Sequence, residues 1–172
     1  LVTAAAREIG IHHSLIAKSI NSFEAIPHRL EYLGKIEQLT FFNDSKATNF
    51  DSSVTGLKSV PSPSILIAGG KRKQGNCLNW VEQIKQSTNA IVLFGISATD
   101  LKKTIERSSY KGDVIVKQTL TGATKASIDI AKKTNSKIIL LSPACASFDQ
   151  YLNYEERGDH FRKILKEYGI VK

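Results

Sequence analysis

From Phe42 onward the chain alternates short apolar runs with amphipathic stretches. SILIAG (64–69), AIVLFG (90–95), DVIVKQ (113–118) and KIILLS (137–142) are rich in Ile, Val and Leu and mostly do not alternate with polar residues. Such runs read as strands covered on both faces. Between them the apolar positions recur at helical spacing. Cys77, Leu78, Val81 and Ile84 share one face; Ala98, Leu101 and Ile105 share another, opened by Ser97 and Asp100 at capping-box spacing. Ala123, Ala126 and Ile130 follow Thr121 as a cap, and Phe161, Ile164, Leu165 and Tyr168 form a last stripe that Gly169 terminates. Strand and helix in regular succession predict an α/β class, doubly wound, with helices on both faces of a mostly parallel sheet.

The first forty residues differ. Leu1 to Phe23 read as two helical pieces broken near Gly10, and LEYLGKIEQLTFFND reads as a hairpin turning at Gly34, with Pro27 between them. A domain junction is expected between residues 24 and 40, which assigns the leading helices to a neighbouring unit.

Composition narrows the class. A length of 172 residues suits one domain or one domain with a remnant of another. Hydrophobic content of 41% and charged content of 23% exclude a disordered or fibrous chain. No apolar run reaches the roughly 20 residues of a membrane helix, and LVTAAAREIG lacks the features of a signal peptide, so a cytoplasmic location is expected. The chain begins with Leu and contains no Met, which predicts a fragment of a longer protein. Cys77 and Cys145 stand far apart without CxxC spacing, so they read as buried thiols and not as a disulfide or zinc framework. The net charge of +8 raises nucleic acid as a partner, but the lysines are scattered over amphipathic helical positions, where they read as solvated faces.

In open parallel sheets, ligands sit beyond the carboxyl ends of the strands. Four segments there carry chemistry. NDSKATN (43–49) packs Asp44, Lys46 and Thr48 just before a helix over 51–59. Asp suits a ribose hydroxyl and Lys and Thr suit a carboxylate or phosphate; equally, Asn49 or Asp51 caps the helix and Lys46 is solvated. AGGKRKQGN (68–76) offers paired glycines and three consecutive cations, without the spacing of a Walker A or GxGxxG loop, so a basic surface turn is the other reading. PHRLE (27–31) places His28 and Arg29 at the junction, and the Arg fork suits phosphate. SPACASFDQYLNYEERG (142–158) supplies Ser142 and Ser147 hydroxyls with Phe148, Tyr151 and Tyr154 as pocket walls, or else as packing for the last helix.

Taken together and in this order, PHRLE, NDSKATN, the AGG loop with its following lysine and LLSPACASFDQYLNYEERGDHF resemble the D-glutamate-adding Mur ligases of bacterial peptidoglycan synthesis, from the first residues to about Gly169. The resemblance implies a C-terminal, Rossmann-like amino-acid-binding domain at 27–172, with residues 1–26 forming the tail of a central ATPase domain. It implies an ATP- and Mg2+-dependent ligase that adds D-glutamate to UDP-N-acetylmuramoyl-L-alanine. Arg29 and Asp44 are then nucleotide-binding, and Lys46 and His28 catalytic. Thr48 and the lysine after the glycine pair, best matched by Lys73 among Lys71, Arg72 and Lys73, hold one carboxylate of D-glutamate; Ser147, Phe148 and the backbone around Tyr154 hold the other. The implied partners are these small molecules and the missing domains of the same protein, with no nucleic acid and no membrane. GKT and GKS phosphate loops are missing from the sequence, so the fragment alone is expected to be inactive. A stand-alone nucleotide-binding α/β domain and a basic nucleic-acid-binding domain are the alternatives.

Overall fold

The structure is a computed structural model that describes residues 2–23, 26–134 and 136–171. Helices α1 (Val2–Glu8) and α2 (His13–Asn21) come first, and no residue of either is buried. The expected junction includes residues 24 and 25, which lie outside the described residues. Strands β1 (Glu31–Ile36) and β2 (Leu39–Asn43) form the antiparallel hairpin. The remainder alternates: α3 (Phe50–Ser59), β3 (Ser64–Gly69), α4 (Leu78–Ser87), β4 (Thr88–Phe94), α5 (Ala98–Glu106), β5 (Asp113–Lys117), α6 (Leu120–Lys133), β6 (Ile138–Leu141) and α7 (Tyr154–Glu167).

The six strands lie in the order β1-β2-β6-β3-β4-β5, parallel except for β1. Every residue of β3 is buried, and its side chains alternate between two core layers. Ile65 and Ile67 join Leu120, Phe161 and Leu165 from α6 and α7, while Leu66 and Ala68 join Leu57, Trp80 and Leu101 from α3, α4 and α5. The period of two along a strand places successive residues on opposite faces, so a strand covered twice reads as an unbroken apolar run. This is the doubly wound arrangement that the pattern predicts. Burying Trp80 leaves its indole N–H in need of an acceptor, and Ser53 Oγ supplies it at 3.0 Å, tying α4 to α3.

The long return through α6 sets β6 between β2 and β3. That insertion brings the segments after β2, β6 and β3 side by side at one edge of the sheet, where the chain reverses its winding.

Four local expectations are corrected. The hairpin turns at Glu37 and Gln38, between the strands; Gly34 lies inside β1 at an irregular register, because the carbonyl of Val171 approaches too closely to admit a Cβ. Thr119, and not Thr121, caps α6, its Oγ1 accepting from Gly122 N at 3.2 Å. Ser97 makes no side-chain cap; its hydroxyl accepts from Arg72 N at 2.9 Å instead. β5 is an edge strand whose residues are exposed or half-buried, since only β4 pairs with it. Cys77 and Cys145 are free and buried, as expected. No helix among the described residues is long and apolar enough to cross a membrane.

Candidate functional site

At the end of β2 the chain turns through Asp44 to Asn49, and Asn49 caps α3 by accepting from Ser52 N at 2.8 Å. The cap holds the loop against the helix start, and Asp44 turns inward. Asp44 is only 6% exposed: Oδ2 accepts from Ser142 Oγ at 2.8 Å and Oδ1 from Leu30 N at 3.1 Å. Burial pushes its carboxyl up to about 6, against the opposing pull of Ser142, the Leu30 amide and Arg29. Gly56 on α3 backs the carboxylate so closely that a Cβ there would lie 2.5 Å from Oδ2.

Arg29, Asp44, Lys46 and Thr48 line one cleft of about 420 Å³, closed on its far side by the face of α3 that carries Ser52, Thr55 and Gly56. Two cations, one carboxylate and several hydroxyls are gathered there. Such a lining suits a polyanion with hydroxyl groups.

His28 sits beneath the loop. It is 5% exposed, and an Asn43 amide hydrogen bonds to Nδ1 at 3.0 Å, leaving the ring proton on Nε2, 3.8 Å from the Asp159 carboxylate. Burial, then Arg162, lower its pKa, so the ring is held neutral near pH 7. Its carbonyl accepts from Lys46 N at 3.0 Å. His28 is thus in contact with the Lys46 loop, while its imidazole faces Asn43 and Asp159.

Lys73, Ser147, Phe148 and Tyr154 do not line the cleft that holds Thr48. The segments that carry them are nevertheless joined to it. Lys71 and Ala146 exchange two backbone hydrogen bonds, at 2.8 and 3.0 Å, which clamp the segment after β3 to the segment after β6. Ser147 is 2% exposed and Phe148 is 66% exposed, while Lys73 is exposed. Tyr151 turns away, its hydroxyl bonded to His160 Nδ1 at 2.7 Å, so it does not wall a pocket with Phe148. Lys46 reaches across: its ammonium lies 3.9 Å from the centre of the Tyr154 ring.

The residue that reading the sequence overlooks is Arg157, on the first turn of α7. It is fully buried, and its guanidinium donates to Ser45 Oγ at 2.9 Å, Ser45 O at 2.8 Å and Cys145 O at 3.0 Å. Burial lowers its pKa to about 10. One side chain therefore bolts the segment after β2 to the segment after β6. A signal was available: a cation in the first turn of a helix opposes the macrodipole and calls for another reason to be there.

The chain has relatives among known proteins. It is 66% identical over all 172 residues to a UDP-N-acetylmuramoylalanine--D-glutamate ligase from Prochlorococcus marinus (strain NATL2A), covering 37% of that protein. It is 46% identical over 166 residues to the ligase of the same name from Rippkaea orientalis, covering 96% of this chain and 36% of that one. The chain is a homologue of these ligases. It spans little more than a third of the length of these D-glutamate ligases. No protein-family model matches it. Among solved structures, UDP-N-acetylmuramate-alanine ligase from Thermotoga maritima superposes with a TM-score of 0.65 at 12% identity, over 96% of this chain and 36% of that one. Mycobacterium tuberculosis folylpolyglutamate synthase, complexed with ADP and AMPPCP, gives 0.61 at 11% identity over 78% and 33%. Both share the fold.

Proposed function

We propose that residues 27–172 form the domain that presents D-glutamate in an ATP-dependent ligase acting on UDP-N-acetylmuramoyl-L-alanine in the cytoplasm, and that residues 1–26 are the tail of its ATPase domain. The observation that carries the reading is the single cleft shared by Arg29, Asp44, Lys46 and Thr48, set beside the Ser147 segment by the insertion of β6. The homology supplies the reaction class.

ATP would transfer its γ-phosphoryl group to the alanyl carboxylate, and the amine of D-glutamate would attack the acyl phosphate, forming the amide as phosphate departs. Asp44 accepts one hydrogen bond on each oxygen and keeps a lone pair on each for ribose hydroxyls. Arg29 is exposed and free to reach phosphate. Thr48 and Lys73 are assigned to one carboxylate of D-glutamate, and buried Ser147 with the backbone beside Phe148 and Tyr154 to the other. Each charge-assisted bond is worth about 1.5–3 kcal/mol, so two separated carboxylates give ample discrimination against a monoacid. Lys46 lies between the two groups of residues, with His28 supporting its backbone. Among the described residues no three His, Cys, Asp or Glu side chains gather to hold a metal, so the Mg2+ that accompanies ATP in this reading is assigned to the nucleotide and to the rest of the full-length protein.

The test is phosphate release by the full-length protein. Release that requires ATP, UDP-N-acetylmuramoyl-L-alanine and D-glutamate together, and that the 172-residue chain alone does not support, is the expected result. Turnover that ignores D-glutamate, or turnover by the short chain alone, overturns the reading.

A further inference from the structure

Lys46 is the cation at the junction of the site, and its neighbours are unusual for a lysine with such an assignment. No carboxylate lies within ion-pair distance of it among the described residues, although, against desolvation, a hydrogen bond from Tyr154 and then the Lys46 charge help to lower the pKa of the Glu155 carboxylate. Its ammonium stands instead over the Tyr154 ring, 3.9 Å from the centre. That distance lies well inside the range of about 6 Å over which a ring face attracts a cation.

The contact is built from both ends. On the lysine side, Lys46 N donates to His28 O at 3.0 Å, and the preceding Ser45 carbonyl is held by Arg157 at 2.8 Å. On the tyrosine side, Ser45 Oγ donates to the Tyr154 carbonyl at 2.8 Å, the Asn153 side chain caps α7 through Glu156 N at 2.7 Å, and the His28 ring meets the Tyr154 ring edge-on at 6.2 Å. Ser45 therefore fixes the two backbones to each other, and the His28 ring packs edge-on against the tyrosine ring.

We propose that Tyr154 is a positioning residue: its ring face parks the Lys46 ammonium between the nucleotide cleft and the Ser147 segment, oriented toward the anionic groups of both substrates. This deepens the ligase reading and rests on it. A ring does here what an acidic partner could not. A carboxylate would neutralise Lys46 and compete with phosphate or substrate carboxylate for its protons, whereas the quadrupole of a ring orients the ammonium and leaves its charge whole. The role belongs to the side chain of Tyr154, separate from the backbone contact assigned to the same residue.

The experiment uses the full-length protein with phenylalanine and its mono-, di- and trifluorinated forms at position 154, together with Tyr154→Leu. Fluorine drains the negative ring face while barely changing the shape of the ring. A stepwise fall in kcat/KM for D-glutamate along the series, reaching about 5- to 30-fold at Tyr154→Leu with the KM for ATP moving less, is expected. A ring that only packs α7 in place would not respond to fluorination. In parallel, the Lys46 ε-methylene proton resonances, read by selective lysine labelling, are expected upfield from the ring current and are expected to relax in Tyr154→Leu. A flat series in an enzyme that turns over D-glutamate, or unshifted Lys46 resonances, overturns the positioning role and leaves the ligase reading intact. A parent protein that fails to turn over D-glutamate overturns the ligase reading, and with it the role.

Discussion

Asp44→Asn should make the domain more stable and the site less useful, in a way that depends on pH. The carboxyl sits at 6% exposure, where burial raises it from 3.8 to about 6. A group whose folded value is raised holds its proton more tightly in the folded state. Its favourable contribution is full below about pH 4 and is lost as pH rises through about 6. At about 1.4 kcal/mol per pH unit, the ionised carboxylate costs the folded chain about 3 kcal/mol at neutral pH and above. The amide carries no such cost. Its oxygen can still accept from Leu30 N, and the Ser142 hydroxyl can rotate to accept from its NH2. The gap in stability between variant and parent should therefore be small near pH 4 and should open to about 2–3 kcal/mol by about pH 8. Urea denaturation followed by far-ultraviolet circular dichroism, on the same chain at several pH values, reads it directly. ADP titration of the full-length variant should show the loss of affinity. A variant that is less stable than its parent at about pH 8, or a gap that does not change with pH, would refute the assignment of a strained carboxylate.

Two further perturbations test the frame around that carboxylate. Gly56→Ala would ordinarily add about 0.5–1 kcal/mol to a helix, but the new Cβ would lie 2.5 Å from Asp44 Oδ2 and 3.0 Å from Ser142 Oγ. ADP affinity of the full-length protein should fall at least about tenfold as Asp44 is displaced, and calorimetry showing unchanged affinity would count against the cleft as the nucleotide site. Arg157→Met removes the donor from two buried carbonyls and should destabilise the chain by about 2–4 kcal/mol; a urea midpoint equal to that of the parent would show that the clamp is idle.

The core of the sheet is legible in the sequence because each strand covered on both faces must be apolar at every position, as β3 is. β5 breaks that rule: DVIVKQ has the composition of an interior strand, and only the sheet order makes it an edge. Gly34 misleads for a related reason. A glycine between two alternating runs suggests a turn, whereas here it admits the carbonyl of Val171, a contact from the far end of the chain that no local pattern contains. The site divides in the same way. Asp44, Lys46 and Thr48 stand out because polar groups crowd a strand end, and Arg29 joins them through the phosphate preference of its fork. Arg157 stays hidden because its acceptors are main-chain oxygens and a serine, groups that leave no distinctive mark in a sequence.

Asp44 and Arg157 share a deeper feature: both are buried charges, and neither neutralises the other. Asp44 is satisfied by a hydroxyl and an amide, Arg157 by a hydroxyl and two carbonyls. The fall of Arg157 from 12.5 to about 10 corresponds to about 3 kcal/mol against folding, similar to the cost at Asp44. Against a total stability of about 5–15 kcal/mol for a domain, two such costs at one sheet edge are large. A chain under pressure for stability alone would pair the two charges with each other. Keeping them apart does something that pairing could not. Arg157 draws its three acceptors together and so fixes where Lys46 and Cys145 lie, while Asp44 keeps a negative charge on the cleft wall with lone pairs still open. Both costs are met when the chain folds, so none of that ordering has to be done when a substrate arrives. The edge formed by the segments after β2, β6 and β3 therefore carries two electrostatic costs and a geometry set before any ligand arrives, and both properties follow from the same two residues.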